Sequence, residues 1–559
     1  MEDRLGLDID SDLGSGSLGR RGGSSSSRRS VLSMAGIGAT AALTAACAPP
    51  PVRGSQGGQE DQVPNAPPPT PQPGTSLEAA QHLARRATFG ATHDDVQRIE
   101  SMGAAAWLDQ QLSRSGLASA ENLLGGYVTL TNTNEQNYHV KDEGESDRIV
   151  EELDHATLLR AVYSEQQLYE VMCDFWTNHF NIWRFADWLV HLKTRDNETV
   201  IRKHALGKFS DLLMASAKSP AMLVYLDNYQ SSGTPGEQVN ENYGRELLEL
   251  HTLGIVDGAQ AYSEADVVGV AKVLSGWGIS WDAGSMHDFQ FHHWHHSREA
   301  VSILGEHGRA LHVRTGVTTT STGWPTASPL IRFLAHHKST ARYLATKLVR
   351  RFVSDTPPAS LVQRLASIYL ANDTAIAPML RELFLSKEFG ASANQKVKRP
   401  VDWMFSALRA TGAVIPTDAR GKAAKDLRSA LGALGQPLNE RTSPDGWPDV
   451  AAYWVGSDGM LKRWGVRRLP CPFHRQRSGE GVGEPGSSPA TTASASNAAL
   501  VTWLGTNRFG LSMSSAEAAA ICTAVGAAPS GAATQIASET KKLQGCVGLL
   551  LAHPGFHRR

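Results

Sequence analysis

The stretch Asn240–Gly254, NENYGRELLELHTLG, decides how the centre of this chain folds. It contains four leucines, three glutamates and no proline, and it stops at Gly254, which is typical of one helix ended by a glycine. At about 100° per residue the leucines spread over most of the helix circumference, so we expect the helix to be buried. Its carboxylates must then be paired, hydrogen-bonded or bound to a metal, because an isolated buried charge is too costly.

Two interpretations of these carboxylates remain open. Glu241, Arg245 and Glu249 follow one another at intervals of four residues, the spacing of a stabilising ladder of ion pairs. Glu246 and Glu249 share one face, at a spacing at which carboxylates in helical bundles bind a common metal ion. His251 lies almost opposite that face, so a metal site would need its histidine from another element.

The stretch Phe175–Asn181 is the best source of that histidine. His179 lies there among aromatic residues, near the end of an amphipathic helix. A histidine in apolar surroundings tends to stay neutral, which is the form that ligates a metal; a core histidine bonded to a carbonyl is the alternative. The sequence therefore predicts a divalent metal ion held by His179, Glu246 and Glu249.

Acid and amide side chains near the central helix complete the predicted site. Asp227 and Asn228 end a short helix just before it, where such a pair either lines the same pocket or forms an ordinary turn. The predicted catalytic residues are Glu246, Arg245 and Asp227, with Asn242 and Asn228 around them. The metal would activate a water or polarise a substrate oxygen, and a nearby carboxylate would act as base.

Two other polar clusters give weaker signals. Lys396–Pro400 is a short basic run before a helix, for which the start of a solvated helix is the favoured interpretation; pairing with internal carboxylates and binding of an anionic group remain open. A histidine cluster lies in a region expected to form strands, where alternate side chains point to opposite faces and few of them converge. Adventitious metal binding at the surface is the favoured interpretation of this cluster, which comprises His287, His292, His293, His295 and His296.

The amino-terminal segment predicts export. Arg28 and Arg29 precede the short, weakly apolar run Val31–Ala46, an arrangement that resembles a twin-arginine signal. The run is too short and too rich in glycine and alanine for a comfortable membrane span. Residues 1–47 are therefore predicted to be an export signal that uses the twin-arginine machinery.

A lipid anchor and a tether are predicted to follow. Leu43–Cys47 resembles a lipobox, although Thr44 replaces the usual leucine, and Cys47 would then be lipidated. Residues 48–76 are rich in proline, glycine and glutamine and are predicted to be a disordered tether. The predicted location is the cell envelope outside the cytoplasmic membrane, with the lipid bilayer as a partner. The net charge of −1 argues against a nucleic-acid partner.

From Ser76 onward the pattern is mainly helical. Ser76, Thr92 and Ser263 precede helical stretches as N-caps. Only two stretches resemble strands, and they are predicted to form one small hairpin. The predicted fold is thus mainly α, a large multi-helix globular body with a single β-hairpin formed by Met286–Phe291 and Val301–Leu304.

The domain organisation follows from the composition. Residues 77–478 are predicted to be the main helical domain, and 479–499, rich in glycine, serine and proline, a flexible linker or loop. Residues 500–559 are predicted to be carboxyl-terminal helices that pack on the main domain. Cys522 and Cys546 either form a disulfide in an oxidising compartment or remain free buried thiols.

Several stretches together resemble a bacterial family known as domain of unknown function 1800 (DUF1800). The resemblance runs from about Leu77 to the carboxyl end and implies a mostly α-helical, exported protein. It implies no mechanism, because the family has no settled activity. The matching stretches are His82–Gly90 (HLARRATFG), Phe175–Phe180 (FWTNHF), Tyr225–Asn228 (YLDN), Asn240–Gly254, Tyr262–Trp277, Lys396–Pro400 (KVKRP), Gly435–Pro437 and Gly446–Pro448.

Two functions remain open on the sequence alone. No GxSxG elbow, HExxH, phosphate loop or dinucleotide fingerprint is found. The leading hypothesis is an extracytoplasmic, metal-dependent, hydrolase-like enzyme with an interior His/Glu site. The alternative is a non-catalytic envelope scaffold, or a binder of a polymer or protein partner, in which the same buried charges are structural ion pairs.

Overall fold

Capped helices form most of the protein. The side chains of Ser76, Thr92 and Ser263 each accept a backbone N–H in the first turn of a helix, so these three predicted caps are confirmed. The predicted mainly α fold is likewise confirmed. The computed structural model describes residues 75–113, 118–186, 188–256, 258–305, 311–314, 324–465 and 495–559.

The helices of the first half are mostly short and joined by turns. Together they bury a core that continues into the second half of the chain. They are α1 (Leu77–Ala87), α2 (His93–Met102), α3 (Ala104–Leu112), α4 (Ala118–Glu121), α5 (Asn134–Asp142), α6 (Ser146–Tyr163), α7 (Gln167–His179), α8 (Lys193–Arg195), α9 (Phe209–Ala217), α10 (Pro220–Tyr225), α11 (Asn242–Glu246) and α12 (Glu264–Leu274).

The helices of the second half pack on those of the first half and share one hydrophobic core with them. Thr70–Arg559 form one compact unit. The helices are α13 (Trp324–Ala335), α14 (Lys338–Phe352), α15 (Ala359–Ala371), α16 (Ile376–Leu385), α17 (Lys387–Gly390), α18 (Pro400–Thr411), α19 (Lys422–Ala433), α20 (Ala451–Trp454), α21 (Ser457–Gly465), α22 (Asn497–Trp503), α23 (Ser515–Ala524), α24 (Thr534–Ala537) and α25 (Thr540–Ala552).

Three small antiparallel sheets accompany the helices, and the predicted hairpin is wrong in its pairing. Both stretches predicted as strands contain strands, but each pairs with a segment that the sequence pattern did not indicate. Trp277 faces Phe291, and Ala300 faces Arg314. Each sheet joins neighbours in the sequence: β1 (Ile255–Val256) with β2 (Ala259–Gln260), β3 (Trp277–Ile279) with β4 (Phe289–Phe291), and β5 (Ala300–Ile303) with β6 (Leu311–Arg314).

The central stretch is one continuous helix with two pitches. After α11 the chain continues as a π-helix, Leu247–Thr252. Gly244 is needed where α11 crosses α12, because a Cβ there would lie 2.9 Å from the carbonyl oxygen of Val267. Gly254 ends the helix at a φ of +66°, and a Cβ there would lie 2.2 Å from the ring of Tyr343. Both glycines therefore serve close packing around the helix.

Some sequence predictions lie wholly or partly outside the described residues. These are the signal at 1–47 with Cys47, nearly all of the tether at 48–76, and most of the linker at 479–499. Cys522 and Cys546 are both buried and free, so the disulfide alternative is not formed. No helix within the described residues is long and apolar enough to cross a bilayer.

Candidate functional site

His179, the last residue of α7, has a partner at each ring nitrogen. Its Nε2 lies 3.2 Å from the carbonyl oxygen of His251, and its Nδ1 lies 2.8 Å from Nζ of Lys347. This geometry fits a neutral imidazole that donates from Nε2 to the carbonyl and accepts from the lysine at Nδ1. Burial, and secondarily the charge of Lys347, holds the pKa of His179 well below its usual range.

Lys347 is a half-buried lysine that forms no ion pair with any residue that the structure describes. It stands in α14 between the buried Leu344 and Leu348, and no carboxylate of the described residues forms an ion pair with its Nζ. The ring centroid of Tyr343, one turn earlier, lies 5.4 Å from this Nζ. Burial, followed by the charge of Arg350, lowers the pKa of Lys347 to about 8. Because cations in protein interiors are normally paired, this lysine stands out.

His251, in the π-helix, is fully buried beside this pair. Its ring centroid lies 6.2 Å from that of His179. Neither of its ring nitrogens has a hydrogen-bond partner within the described residues. Burial and the charge of Lys347 lower its pKa to about 3, so the ring is neutral. Most buried polar groups are hydrogen-bonded, and π-helical turns are frequent at functional sites, so this histidine marks the region as specialised.

Glu246 and Glu249 are half-buried one turn apart on the central helix. An oxygen of Glu249 accepts a hydrogen bond from the Tyr262 hydroxyl at 2.8 Å. Burial, followed by the charge of Glu249, raises the pKa of Glu246 from 4.5 to about 7. Glu246 is thus a carboxyl group that exchanges its proton near neutral pH.

Asp445 is a charge that acts on both the lysine and the carboxylates. It contributes to the pKa of Lys347 and to the pKa of Glu246. The same charge, with burial as the larger cause, acts on the pKa of Tyr343, which is raised to about 12. The candidate site, which comprises Lys347, His179, Glu246 and Asp445, therefore combines a lysine and a carboxyl group whose pKa values both lie close to 7–8.

The predicted metal site is not formed. No group of three or more His, Cys, Asp or Glu side chains in the part of the chain that the structure describes is placed to hold a metal ion. His179 is directed to Lys347 and to the His251 carbonyl, while Glu249 is bonded to Tyr262. A lysine ammonium at the imidazole acceptor nitrogen is incompatible with metal ligation through that atom, so His179 is not a metal ligand in this arrangement.

The histidine cluster also forms no metal site within the described residues. His292 and His296 instead bond backbone carbonyls, with Nε2 of His292 3.1 Å from the oxygen of Ile279 and Nδ1 of His296 2.7 Å from that of Ser275. His287 lies elsewhere, with its Nδ1 3.0 Å from Nε2 of His191.

Arg245 does not reach the predicted site. It forms ion pairs with Glu264 at 2.6 Å and with Glu241 at 3.4 Å on the outside of the helix. The predicted ladder between Arg245 and Glu249 is not formed, because Glu249 is bonded to Tyr262. Arg245 is a surface ion-pair residue.

The three remaining predicted residues show no contact with His179, Glu246 or Glu249 among the described residues. Asp227 is exposed and takes a left-handed conformation, with a φ of 59°. Asn242 is exposed, with its Nδ2 3.3 Å from the carbonyl oxygen of Leu226. Asn228 is buried and donates to the carbonyls of Leu274 and Trp277, at 3.1 and 2.9 Å. These residues hold the backbone together, which agrees with the turn interpretation.

The basic run Lys396–Pro400 pairs internal carboxylates, one of the three alternatives left open. Arg399 lies 2.5 Å from Asp174 of α7 and 2.9 Å from Asp402. Arg351 of α14 donates to both oxygens of Asp402, each at 3.0 Å. Together these groups, all buried except the half-buried Asp174, form with Arg559, at 3.3 Å from Asp402, an ionic lattice that fixes α7, α14 and α18 to one another.

The loop with Gly446-Trp447-Pro448 is fastened to α7 by Asn178. The Asn178 amide nitrogen donates to the carbonyl of Trp447 at 2.9 Å, and its oxygen accepts the Trp447 N–H at 2.7 Å. Gly446 has a φ of +74° and lies against α7. This loop carries Asp445, so the lattice and the loop together position residues of the candidate site.

Lys347 and His251 were missed by sequence reasoning. The local sequence did not single out Lys347. It is a lysine among leucines of an amphipathic helix, and lysines in such positions commonly extend to solvent. For His251, the helical wheel placed the ring away from Glu246, and nothing in the sequence indicated that His179 lies on that other side. The positions of the motifs along the sequence do not show which motifs contact one another in the fold.

These features define a class: a large α-helical protein in which a half-buried lysine is bonded to a buried histidine, on helices joined by an ionic lattice, and which also has a carboxyl group of raised pKa. The family profile described as "Protein of unknown function (DUF1800)" matches residues 82–558, and the chain belongs to this family. Comparison with curated proteins and with solved structures gave no match.

Proposed function

We propose that this protein is an exported enzyme of the cell envelope that transfers protons with the side chains of Lys347, His179 and Glu246. The observation that carries the proposal is the 2.8 Å contact between Lys347 Nζ and His179 Nδ1, in which a lysine has a neutral ring for a partner and no carboxylate among the described residues. In a structural ion pair the partner of the lysine would be a carboxylate and not a neutral imidazole.

The chemistry follows from the two proton-exchanging groups. With a pKa of about 8, Lys347 is partly a neutral amine at neutral pH, and this form accepts a proton from a substrate. With a pKa of about 7, Glu246 is partly protonated and donates a proton to the opposite end of the reacting group. His179 accepts one Lys347 N–H and so orients the amine.

A non-catalytic envelope scaffold is the second candidate function. The ionic lattice supports it. Arg399 lies in one of the stretches that resemble the family, and Asp174 and Asp402 lie next to such stretches. The ion pairs of Arg399 join it to both carboxylates. In this candidate the family stretches serve to fix helices. It gives no account of the contact between Lys347 and His179, or of the ring nitrogens of His251, which have no hydrogen-bond partner among the described residues.

Glu246→Gln distinguishes the two candidates through stability. The folded-state pKa of Glu246 is raised above the unfolded value of 4.5, so stability is lost as pH rises from 4.5 to about 7. Above pH 7 the buried charge costs about 2–3 kcal/mol, and glutamine removes it. We expect Glu246→Gln to be more stable than wild type at pH 8 and similar to it at pH 4, by urea unfolding. A less stable variant at pH 8 would favour a structural ion pair.

The same variants test the activity. Purified wild type and variants would be incubated with envelope extracts, and new products would be followed by untargeted mass spectrometry. We expect products from wild type and from the exposed control Lys338→Met, and loss of at least 100-fold in Lys347→Met and in Glu246→Gln. Equal product formation by folded Lys347→Met, or none by wild type, would favour the scaffold.

We propose that export uses Arg28 and Arg29 and that Cys47 carries the lipid anchor. The paired arginines, the short apolar run and the small residues before the cysteine support this proposal. Replacing both arginines with lysine is expected to leave the protein in the cytoplasm, and Cys47→Ser to release exported protein from the membrane. Cell fractionation with immunoblotting checks both results; unchanged membrane association of Cys47→Ser would contradict the anchor.

A further inference from the structure

The contact between Lys347 and His179 has the layout of an activated nucleophile. Nζ of Lys347 lies 2.8 Å from Nδ1 of His179, and Nε2 of the same ring lies 3.2 Å from the carbonyl oxygen of His251. Because that carbonyl accepts a hydrogen bond from Nε2, Nδ1 is the ring nitrogen that carries the lone pair. A nucleophile, a base and a third group that orients the base thus follow one another, which is the signature of covalent catalysis.

The side chain of Lys347 is the part of this group that solvent reaches. Lys347 is half-buried, whereas His179 is 1% exposed and Leu344 and Leu348 are fully buried. Within the described residues Nζ has no other hydrogen bond than the one to His179, and no ion pair. The nitrogen is therefore not bound to a carboxylate, and its neutral form has a lone pair available for a bond to carbon.

The surroundings of Lys347 keep part of it in the neutral form, which is the form that attacks carbon. Burial, followed by the charge of Arg350 one turn later in α14, lowers the pKa of Lys347 to about 8, and the charges of Asp445 and Asp449 act more weakly in the opposite direction. About one tenth of the side chain is then a neutral amine at pH 7. Burial and a neighbouring cation are two of the ways in which lysine nucleophiles are activated.

Regeneration of the lysine restricts the class of electrophile. An amine that attacks an ester or an amide keeps the acyl group as a stable amide, so the lysine would be consumed. With an aldehyde or a ketone the amine forms an imine, which water hydrolyses again, and lysine side chains perform this covalent chemistry in enzymes. A nucleophilic lysine that must act repeatedly therefore fits a carbonyl substrate.

We propose that Lys347 forms an imine with an aldehyde or ketone substrate and that His179 carries a proton which the amine loses. Nζ bonds to the carbonyl carbon, its two protons leave with the carbonyl oxygen as water, and a C=N bond remains. His179 accepts a proton at Nδ1 and passes it to that oxygen, because burial disfavours a charged ring. The imine chemistry rests on the proposed function, since a protonated imine weakens the neighbouring C–H bond and so makes its proton the one that is transferred.

Reductive trapping tests the imine. The full chain would be incubated at pH 7 with dihydroxyacetone, a small ketone, and with sodium cyanoborohydride, which reduces an imine to a stable secondary amine. Peptide mass spectrometry then measures the adduct at each lysine. We expect about tenfold more adduct, or a larger excess, at Lys347 than at the exposed Lys338 of the same helix, because part of Lys347 is neutral at this pH. An equal or smaller amount at Lys347 would overturn the proposal.

The assay with envelope extracts separates the imine from the proposed function. Products that disappear in Lys347→Met, together with no excess adduct at Lys347, would overturn the imine and leave proton transfer by this lysine standing. Excess adduct at Lys347 with no products from wild type would support the nucleophilic lysine and count against the proposed function.

His179→Gln tests the proton carrier, because glutamine has no nitrogen that takes up a proton. We expect the rate of adduct formation at Lys347 to fall about tenfold or more, while half-maximal labelling of Lys347 by acetic anhydride stays at about pH 8. His139→Gln, at an exposed histidine of α5, is the matched control and leaves the rate unchanged. Thermal unfolding confirms that both variants are folded. An unchanged rate in folded His179→Gln, or a fall that a raised labelling midpoint explains, would overturn the role given to His179.

Discussion

Asp402→Asn is expected to lower the free energy of unfolding by about 3–5 kcal/mol, the range found when one partner of a buried ion pair is removed. Asp402 accepts four hydrogen bonds from the side chains of Arg351 and Arg399, at 2.9 to 3.1 Å. Asparagine leaves these guanidinium groups, and Arg559 at 3.3 Å, without that charge. Urea unfolding at pH 7 measures the loss.

The pH dependence of this effect has a definite sign. The arginines around Asp402 hold the pKa of its carboxyl well below its usual range. A carboxylate with a depressed folded-state pKa stabilises the fold above its unfolded pKa, 3.8, and loses that contribution only as pH falls through the lower folded value. The loss in Asp402→Asn is therefore expected to be equal at pH 5 and pH 8.

Asp373→Asn is the control for a surface ion pair. Asp373 lies 2.6 Å from Lys208, and both side chains are exposed. Because exposed pairs contribute little, the unfolding curve of Asp373→Asn is expected to overlie that of wild type. Similar curves for Asp402→Asn and Asp373→Asn would show that the lattice does not hold the helices.

Gly446→Ala is expected to lower the free energy of unfolding by about 3–4 kcal/mol. A left-handed φ, here +74°, costs about 1–2 kcal/mol for a residue with a Cβ. The added Cβ would also lie 2.2 Å from the carbonyl oxygen of Asn178, so the loop must move and break both Asn178–Trp447 hydrogen bonds. Each such bond contributes about 1 kcal/mol.

Gly412→Ala separates the two causes. Gly412 has a similar φ of +63°, but nothing lies within 4 Å of an added Cβ. Its replacement is expected to cost only the conformational part, about 1–2 kcal/mol. Equal losses for Gly412→Ala and Gly446→Ala, by urea unfolding, would mean that the contact with α7 is unimportant.

The sequence predicts best what is local. The caps at Ser76, Thr92 and Ser263 are set by residues within one turn, and the mainly helical fold follows from the same short-range patterns. For the same reason, the two strands were predicted correctly but their pairing was not. Alternation of apolar and polar residues indicates a strand, whereas the strand with which it pairs depends on the path of the chain. Trp277 pairs with Phe291 because the chain turns back there.

The candidate site depends on contacts that no local pattern encodes. Lys347 meets His179 across 168 residues of sequence, and Arg399 meets Asp174 across 225. Helical periodicity predicts that Glu246 and Glu249 share one face, but it could not supply their surroundings. The π-helix after Glu246 also departs from the 100° increment on which the wheel depends.

The central claim is that Lys347 is a lysine of lowered pKa beside a neutral histidine, and its titration tests this directly. Trace labelling of the intact protein with acetic anhydride, from pH 6 to 11 and read by mass spectrometry, gives the reactivity of each lysine. We expect half-maximal labelling of Lys347 at about pH 8, well below the ordinary lysine value of ~10.4. Half-maximal labelling of Lys347 at that ordinary value would contradict the account.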